Sequence, residues 1–202
     1  MSTGPRVLIL LPAAGASSRM RGRDKLLEPV RGQPLLRDRV AAALDLGLDV
    51  AVTLPPDRPE RADTLRDLVG PRLHLMTVND AATGMSASLR AGADRARAGG
   101  YAGLMVVLPD LPDLLTQDLK TVLQANDSRS ILRATSQDGR AGHPVIFPAD
   151  VLPTLARLTG DDGARDILRT HPVRHLALPD TRATTDLDTP EAWATWRARN
   201  GG

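Results

Sequence analysis

Strand-length apolar runs alternate with helical patterns along this chain, and this alternation restricts its fold more than any other feature. Val7–Leu11 and Ala102–Leu108 are almost entirely apolar, which is typical of strands buried on both faces of a sheet. Met85–Ala98 instead repeats small and apolar residues at helical spacing and is followed by two glycines. The pattern predicts an α/β fold in three layers, with helices on both faces of a mostly parallel sheet.

The other predicted elements continue this alternation. We predict helices over Gln33–Leu46, Arg58–Val69, Thr116–Ala125 (with Thr116 as N-cap) and Pro190–Arg199, and strands over Leu48–Leu54 and Leu73–Val78 and near Ser130–Ala134, Val145–Phe147 and Val173–Leu178. No repeat or long linker divides them, so residues 1–202 are expected to form a single domain. Ligands of such sheets bind beyond the carboxyl ends of the strands, which directs attention to the loops after Leu11, Val78 and Leu108.

Composition excludes several classes of function. The chain has no apolar run long enough to span a membrane, its first residues do not fit a signal peptide, and it has no cysteine for disulfides or thiolate chemistry. The net charge is +2, the arginines are scattered among acidic residues, and aromatic residues are few. Nucleic-acid binding needs a dense basic surface or stacking platforms. We therefore expect a cytoplasmic protein with neither nucleic acid nor membrane as a partner.

The loop after the first strand combines small residues with cations. It reads Pro12-Ala13-Ala14-Gly15-Ala16-Ser17-Ser18-Arg19 and continues to Lys25. Small side chains allow backbone N–H groups to surround an anion, and arginine and lysine can neutralise phosphate oxygens. The loop matches neither the dinucleotide-binding glycine pattern nor the P-loop pattern. The alternative is an ordinary surface loop whose arginines are solvated.

Carboxylates and a glycine-initiated helix occupy other loops of the predicted sheet edge. Gly84 opens the Met85–Ala98 helix, whose N-terminus offers free N–H groups. Asp110 follows the most apolar strand, where a divalent cation could offset its charge, although it equally fits a simple turn. Asp186 and Asp188 are two residues apart and could both face a cation, and Asp188 also fits a helix cap before Pro190.

Two further segments of the C-terminal third carry candidate ligand-binding residues. Gly142-His143-Pro144 precedes a predicted strand, and His143 alone among the four histidines lies in such a glycine-rich loop. Gly160-Asp161-Asp162-Gly163-Ala164-Arg165 opens a helix, where an aspartate could simply be the cap. A lone histidine is more often structural than catalytic, so neither segment assigns a function by itself.

Taken in order, these motifs resemble the nucleotidyltransferases of the molybdenum cofactor family, and in particular its cytidylyltransferases. The similar segments are Ala13-Ala14-Gly15 with Arg19-Met20 and Lys25, Gly32-Gln33-Pro34-Leu35-Leu36, Gly84-Met85 with Ser88-Leu89, Asp110-Leu111-Pro112, Gly142-His143-Pro144, Gly160–Arg165 and Asp186-Leu187-Asp188-Thr189-Pro190. The resemblance implies a Rossmann-like nucleotidyltransferase fold. Pro12, Pro109 and an Arg19–Lys25 interval one residue longer than usual depart from the family pattern.

The resemblance also implies roles for individual residues. Arg19, Lys25 and Asp110 would be catalytic, and the nucleotide would be bound by Ala13, Ala14, Gly15, Ser17, Ser18, Arg19, Lys25, Gly84, Met85 and Ser88. Magnesium would be held by Asp110 and either Asp186 or Asp188, of which we favour Asp188, and the acceptor by His143, Asp161 and Arg165. Ala14 stands where the guanylyl-transferring branch usually has a second glycine, which favours a pyrimidine nucleotide.

The implied reaction is the transfer of CMP from CTP to the phosphate of molybdopterin with release of pyrophosphate, and a molybdoenzyme could receive the product. Catalysis of this kind depends on positioning and electrostatics more than on acid–base chemistry. Two alternatives stay open. One is a transferase of the same fold that uses GTP, UTP or a sugar-phosphate acceptor. The other is a molybdenum-cofactor carrier or chaperone without catalytic activity.

Overall fold

A computed structural model of the protein describes residues 6–80, 84–160 and 163–200. The strands are β1 (Val7–Pro12), β2 (Pro29–Val30), β3 (Gln33–Pro34), β4 (Val50–Leu54), β5 (Leu73–Thr77), β6 (Gly103–Val106), β7 (Ile131–Thr135), β8 (Ala141–Pro148) and β9 (Val173–Ala177). The α-helices are α1 (Leu35–Leu44), α2 (Pro59–Asp63), α3 (Met85–Ala98), α4 (Thr116–Gln124), α5 (Leu152–Leu155), α6 (Arg165–Thr170) and α7 (Pro190–Asn200). Their order confirms the predicted alternation.

The central sheet has seven strands in the order β5-β4-β1-β6-β8-β7-β9. Neighbouring strands are parallel except where β8 pairs with β6 and with β7, so the sheet is mostly parallel as predicted. Because β8 runs against its neighbours, its first residues lie at the edge where β1 and β6 end. This reversal brings the start of β8 to the edge at which parallel sheets bind ligands.

Two hydrophobic cores lie on opposite faces of the sheet. Successive side chains of a strand point to opposite faces, so Val7, Ile9 and Leu11 pack with α1, α4 and α7, whereas Leu8 and Leu10 pack with α3, α5 and α6. The predicted three-layer α/β architecture is therefore confirmed.

Two of the predicted element boundaries were wrong for local reasons. The first helix begins at Leu35, not Gln33, because the preceding residues pair with Pro29–Val30 in a small hairpin. The helix predicted over Arg58–Val69 ends at Asp63 and is followed by a 3₁₀ turn, and the Thr64 hydroxyl donates to the carbonyl of Arg61 at 2.8 Å where it ends. A hydroxyl that bonds to nearby backbone in this way competes with helix continuation.

The two predicted helix caps also differ from the structure. Leu115, not Thr116, is the N-cap of α4, and its N–H donates to the Asp118 carboxylate at 2.9 Å. At α7 the Thr189 hydroxyl, not Asp188, accepts from a first-turn N–H, that of Ala192, at 3.2 Å. Asp188 is thereby left to interact elsewhere. Within the described ranges, no helix has the length and apolar character that a bilayer crossing requires.

Candidate active site

The candidate site lies where β1 and β6 end side by side. Because these strands are parallel neighbours, the loops that carry Lys25 and Asp110 start from the same edge of the sheet. The segment after β9 reaches this edge as well, and the Leu187 N–H donates to the backbone carbonyl of Asp110 at 3.3 Å. This contact places the Asp186–Asp188 segment against the Asp110 loop.

Cations and carboxylates from distant parts of the chain form one cluster at this edge. The Lys25 Nζ lies 2.6 Å from Oδ2 of Asp110 and 2.6 Å from Oδ1 of Asp188. The Arg19 guanidinium lies 2.7 Å from the other oxygen of Asp188. Asp186 is exposed to solvent, so Asp188 is the member of that pair which faces the site. The structure thus brings together Arg19, Lys25, Asp110 and Asp188.

The cluster is partly buried, and its electrostatics are strongly coupled. Burial alone would lower the pKa of Lys25, but the attraction and hydrogen bonds of Asp110 and Asp188 outweigh burial and raise that pKa above its usual value. Burial would likewise raise the pKa of Asp188, but Lys25 and Arg19 hold it below its usual value. Lys25 and Asp188 are therefore both charged at neutral pH.

The carboxylates of this cluster fit a divalent cation that is also bound by phosphate. Oδ1 of Asp110 is buried and has no hydrogen-bond partner among the described residues. Among the residues that the structure describes, no group of three or more acidic, histidine or cysteine side chains is placed to hold a metal ion. Mg²⁺ commonly uses only one or two protein carboxylates and completes its shell with water and substrate phosphates. Asp110 and Asp188 meet that requirement.

A cavity of about 290 Å³ adjoins the cluster. Its lining includes the predicted nucleotide-binding residues Gly15, Lys25, Gly84, Met85 and Ser88, and also Asp110. Gly84 caps α3 with φ 80° and ψ −157°, a conformation that is essentially restricted to glycine. The Ser88 and Thr53 hydroxyls are hydrogen-bonded at 2.9 Å, which fixes the buried Ser88 side chain at the cavity wall.

Other predicted nucleotide-binding residues lie outside this cavity. Ala14 lines a smaller cavity of about 230 Å³, together with Pro55, Pro56 and Arg58, and Ala16 borders both cavities. The Ala13 N–H donates to the carbonyl of Thr53 at 3.0 Å, so it cannot also donate to a phosphate. Ser18 is exposed at the start of a 3₁₀ turn.

A buried arginine that belongs to none of the predicted motifs holds the loop in place. The Arg61 guanidinium donates to the Ala13 carbonyl at 2.6 Å, to the Ser17 hydroxyl at 3.2 Å and to both oxygens of Asp24, at 2.7 and 3.0 Å. Asp24 also accepts from the Leu26 N–H at 3.0 Å. The position of Asp24 directly before Lys25 could have identified it from the sequence, whereas Arg61 lay within a predicted helix among other charged residues.

A second, larger cavity of about 500 Å³ shares Met85 with the first. It is lined by the predicted acceptor residues His143 and Arg165, by Arg133 and Arg169, and by the apolar residues Leu89, Val106, Val145, Phe147 and Leu168. Arg133 and Arg169 were not predicted, because they belong to a strand and a helix whose positions in the sheet are not visible in the sequence. Asp161, the other predicted acceptor residue, lies outside the described residues.

His143 is held neutral at the wall of this cavity. Burial lowers its pKa to about 4, and the nearby Arg133 acts in the same direction. Its backbone N–H donates to the Ala183 carbonyl at 2.9 Å. A Cβ on Gly142 would lie only 2.1 Å from that oxygen, so the close approach of the two segments requires glycine.

The fold defined by this sheet is the Rossmann-like fold of nucleotidyltransferases. Residues 8–176 match the model of the MobA-like NTP transferase domain, and this chain therefore belongs to that family. It is 28% identical to the purine catabolism protein PucB of Bacillus subtilis (strain 168), over 94% of this chain and 95% of that protein. It is 30% identical to the nicotine blue oxidoreductase of Paenarthrobacter nicotinovorans, over 93% of this chain and 94% of that protein.

Solved structures show the same relationship. Rv0371c from Mycobacterium tuberculosis H37Rv is 27% identical, with a TM-score of 0.78 over 96% of this chain and 98% of that chain. A complex of Rv0371c with manganese superposes with a TM-score of 0.75 at 24% identity, over 95% and 97% of the two chains. Family membership and fold together identify this chain as a nucleotidyltransferase.

Proposed function

We propose that this protein transfers CMP from CTP to the phosphate of molybdopterin, with release of pyrophosphate and with Mg²⁺ as cofactor. The observation that carries the proposal is the position of Lys25 between Asp110 and Asp188, beside a cavity that contains the other predicted nucleotide-binding residues. The second cavity, which shares Met85 with the first, supports an acceptor site next to the nucleotide. We further propose that the reaction takes place in the cytoplasm and that a molybdoenzyme receives the product.

Arg19 and Lys25 would hold the β- and γ-phosphates. Lys25 provides a compact charge and Arg19 a planar guanidinium that can bind two oxygens. Asp110 and Asp188 would hold Mg²⁺, which when bound neutralises phosphate charge and stabilises the departing pyrophosphate. The apolar residues at the ends of β1 and β6 limit access of water to the triphosphate.

The second cavity would bind an anionic acceptor with apolar rings. Arg133, Arg165 and Arg169 place positive charge at its wall, while Leu89 and Phe147 provide apolar surface. A phosphate monoester is already anionic at neutral pH, so its oxygen can attack the α-phosphorus without a general base. His143, which stays neutral, fits a role in binding the acceptor by hydrogen bonding and not in proton transfer.

One feature of this chain supports CTP over GTP, and another argues against redox chemistry. Ala14 replaces a glycine that the guanylyl-transferring branch usually has, and its methyl group would narrow a base site. The loop after β1 lacks the glycine spacing of dinucleotide-binding sites, so redox chemistry, which the name of the nicotine blue oxidoreductase indicates for that relative, is not the function that we favour here.

The test is pyrophosphate release by the purified protein with CTP, GTP or UTP, Mg²⁺ or Mn²⁺, and molybdopterin or a sugar phosphate as acceptor. We expect release with CTP and molybdopterin, and a decrease in turnover of about 100-fold or more for Asp110→Ala, as loss of a well-placed electrostatic group typically gives. Asp94→Ala, at an exposed position of α3, serves as the matched control.

Three outcomes would contradict the proposal. Near-wild-type pyrophosphate release by Asp110→Ala would refute the role of this carboxylate. Preference for GTP, UTP or a sugar phosphate would identify a different transferase of the same fold. Tight binding of molybdopterin without any pyrophosphate release would identify a carrier. Comparison of Asp188→Ala with Asp186→Ala then identifies the second metal ligand, and we expect the larger loss for Asp188→Ala.

A further inference from the structure

Arg61 is one of the largest fully buried side chains of the molecule, and it carries a charge that no step of the proposed reaction uses. Burial removes a guanidinium from water, and interactions with its protein partners must offset the free energy of this desolvation. Among the described residues, the side-chain partners of Arg61 all belong to the loop between Ala13 and Lys25; they are Ala13, Ser17 and Asp24. Its side chain therefore joins the start, the middle and the end of that loop.

The loop needs such support because its backbone conformation is unfavourable on its own. Ser17 and Arg21 both have φ 52°, in the left-handed region that non-glycine residues rarely adopt. Residues held in this region persist only when surrounding contacts fix them. Ser17 is itself one of the three residues that Arg61 contacts, and the following 3₁₀ turn lies between Ser17 and Asp24.

The last link connects Arg61 to Lys25. Asp24 accepts from the Leu26 N–H at 3.0 Å and so caps the 3₁₀ turn Lys25–Leu27. Arg61 and Asp24 form a two-point ion pair in which both side chains are almost fully buried. The orientation of this turn sets where the Lys25 ammonium lies relative to Asp110 and Asp188.

We propose that Arg61, acting through Asp24, is a positioning residue that holds the phosphate-binding loop and Lys25 in the geometry required by the triphosphate. This inference rests on the proposed function, since it assigns the loop to a triphosphate. Arg61 is fully buried and lines none of the cavities described above. It acts through the loop that ends at Lys25, so its loss should weaken polyphosphate binding more than binding of a ligand without β- and γ-phosphates.

The experiment compares wild type, Arg61→Met, Arg61→Lys and the charge-balanced double variant Arg61→Met/Asp24→Asn. In Arg61→Met the buried Asp24 carboxylate keeps only the longer ion pair with Arg58, at 3.3 Å. The double variant removes this carboxylate charge as well, so it remains informative if Arg61→Met alone fails to fold. Arg66→Met is the matched control, because Arg66 follows on the same segment and makes only an exposed ion pair with Asp63. The readouts are amide hydrogen exchange of residues 14–25 and calorimetric affinities for CTP, tripolyphosphate and CMP.

We expect amide exchange in the loop to be at least 10-fold faster in Arg61→Met and in the double variant, with β1 and β6 unchanged. Affinity for CTP and tripolyphosphate should fall about 10- to 100-fold, the range expected when a binding group is displaced by about 1 Å, while CMP affinity changes less than about 3-fold. Arg61→Lys should recover part of the loss, and KM for CTP should rise more than kcat falls.

Unchanged exchange in the loop, or equal losses for CMP and CTP, would overturn the inference. A wild-type protein that binds no triphosphate would overturn the proposed function and this inference with it. That result is distinguishable from failure of the positioning role, because the wild type itself then shows no triphosphate binding.

Discussion

Lys25 and a divalent cation would compete for the carboxylates of Asp110 and Asp188. In the structure the Lys25 ammonium lies 2.6 Å from an oxygen of Asp110 and 2.6 Å from one of Asp188. A cation that binds both carboxylates, for example through the unpaired Oδ1 of Asp110, would have to displace this ammonium from Asp188 or lie beside its positive charge, unless a phosphate binds the ammonium instead. Replacement of Lys25 by methionine should therefore strengthen divalent-cation binding in the absence of nucleotide, while it weakens binding of CTP.

The size of the effect follows from the contacts that the cation must break. Hydrogen bonds to charged groups contribute about 1.5–3 kcal/mol each, and part of this is returned when the released ammonium regains its hydration. A net difference of about 1.4–2.8 kcal/mol corresponds to about 10- to 100-fold tighter Mn²⁺ binding by Lys25→Met. Of the two carboxylates, Arg19 pairs with Asp188 alone, and its side chain is 69% exposed, so Arg19→Met should change Mn²⁺ affinity by less than about 3-fold.

The assay is titration of Mn²⁺ into nucleotide-free protein, followed by calorimetry or by electron paramagnetic resonance of the free ion. Lys120→Met is the matched control, since Lys120 is exposed and is the only other lysine of the chain. Equal or weaker Mn²⁺ binding by Lys25→Met would refute the competition. An equal gain in Arg19→Met would show that net charge, and not the position of Lys25, controls cation binding.

Three further predictions follow from individual residues. Asp110 and Asp188 raise the pKa of Lys25, so at pH 8 a smaller fraction of this amine is neutral than in an unperturbed lysine. Mass spectrometry should therefore find slower acylation at Lys25 than at Lys120. Burial lowers the pKa of His143 to about 4, against about 6.5 in an unfolded chain, so between these pH values only the unfolded state gains a proton. The free energy of unfolding should therefore fall as pH falls through that window, and less steeply in His143→Asn. Ring-proton NMR should show no titration of His143 above pH 6. Gly84→Ala should lower Tm by about 2–10 °C and weaken CTP binding, because alanine in this backbone conformation costs about 1–3 kcal/mol; a Tm equal to wild type would contradict the strain.

The sequence predicted the site best where one residue type had a clear local reason. Gly84 was recognisable before a helix, and Asp110 directly after the most apolar strand. Residues whose roles depend on distant partners were not recognisable. Arg61 resembled any charged residue of a surface helix, yet it is fully buried. Its partners Ala13, Ser17 and Asp24 come from a loop 37 to 48 residues earlier in the chain.

The choice between Asp186 and Asp188 shows the same limit. Both carboxylates fitted a cation from their spacing, and Asp188 also fitted a helix cap. The structure gives the cap to Thr189 and turns Asp188 towards Lys25. Spacing alone could not distinguish these, since the direction of a side chain in an irregular segment depends on what the segment packs against.

Local patterning of apolar and polar residues determined the α/β class and the edge of the sheet that carries the candidate site, because strands buried on both faces are recognisable as continuous apolar runs. The arrangement of charge within that edge was decided only by the tertiary structure. The reversal of β8 brings His143 beside β6, and the crossing of separate loops joins Lys25 to Asp110 and Asp188. Such contacts depend on strand order and direction, which tertiary packing sets and which no short stretch of sequence specifies.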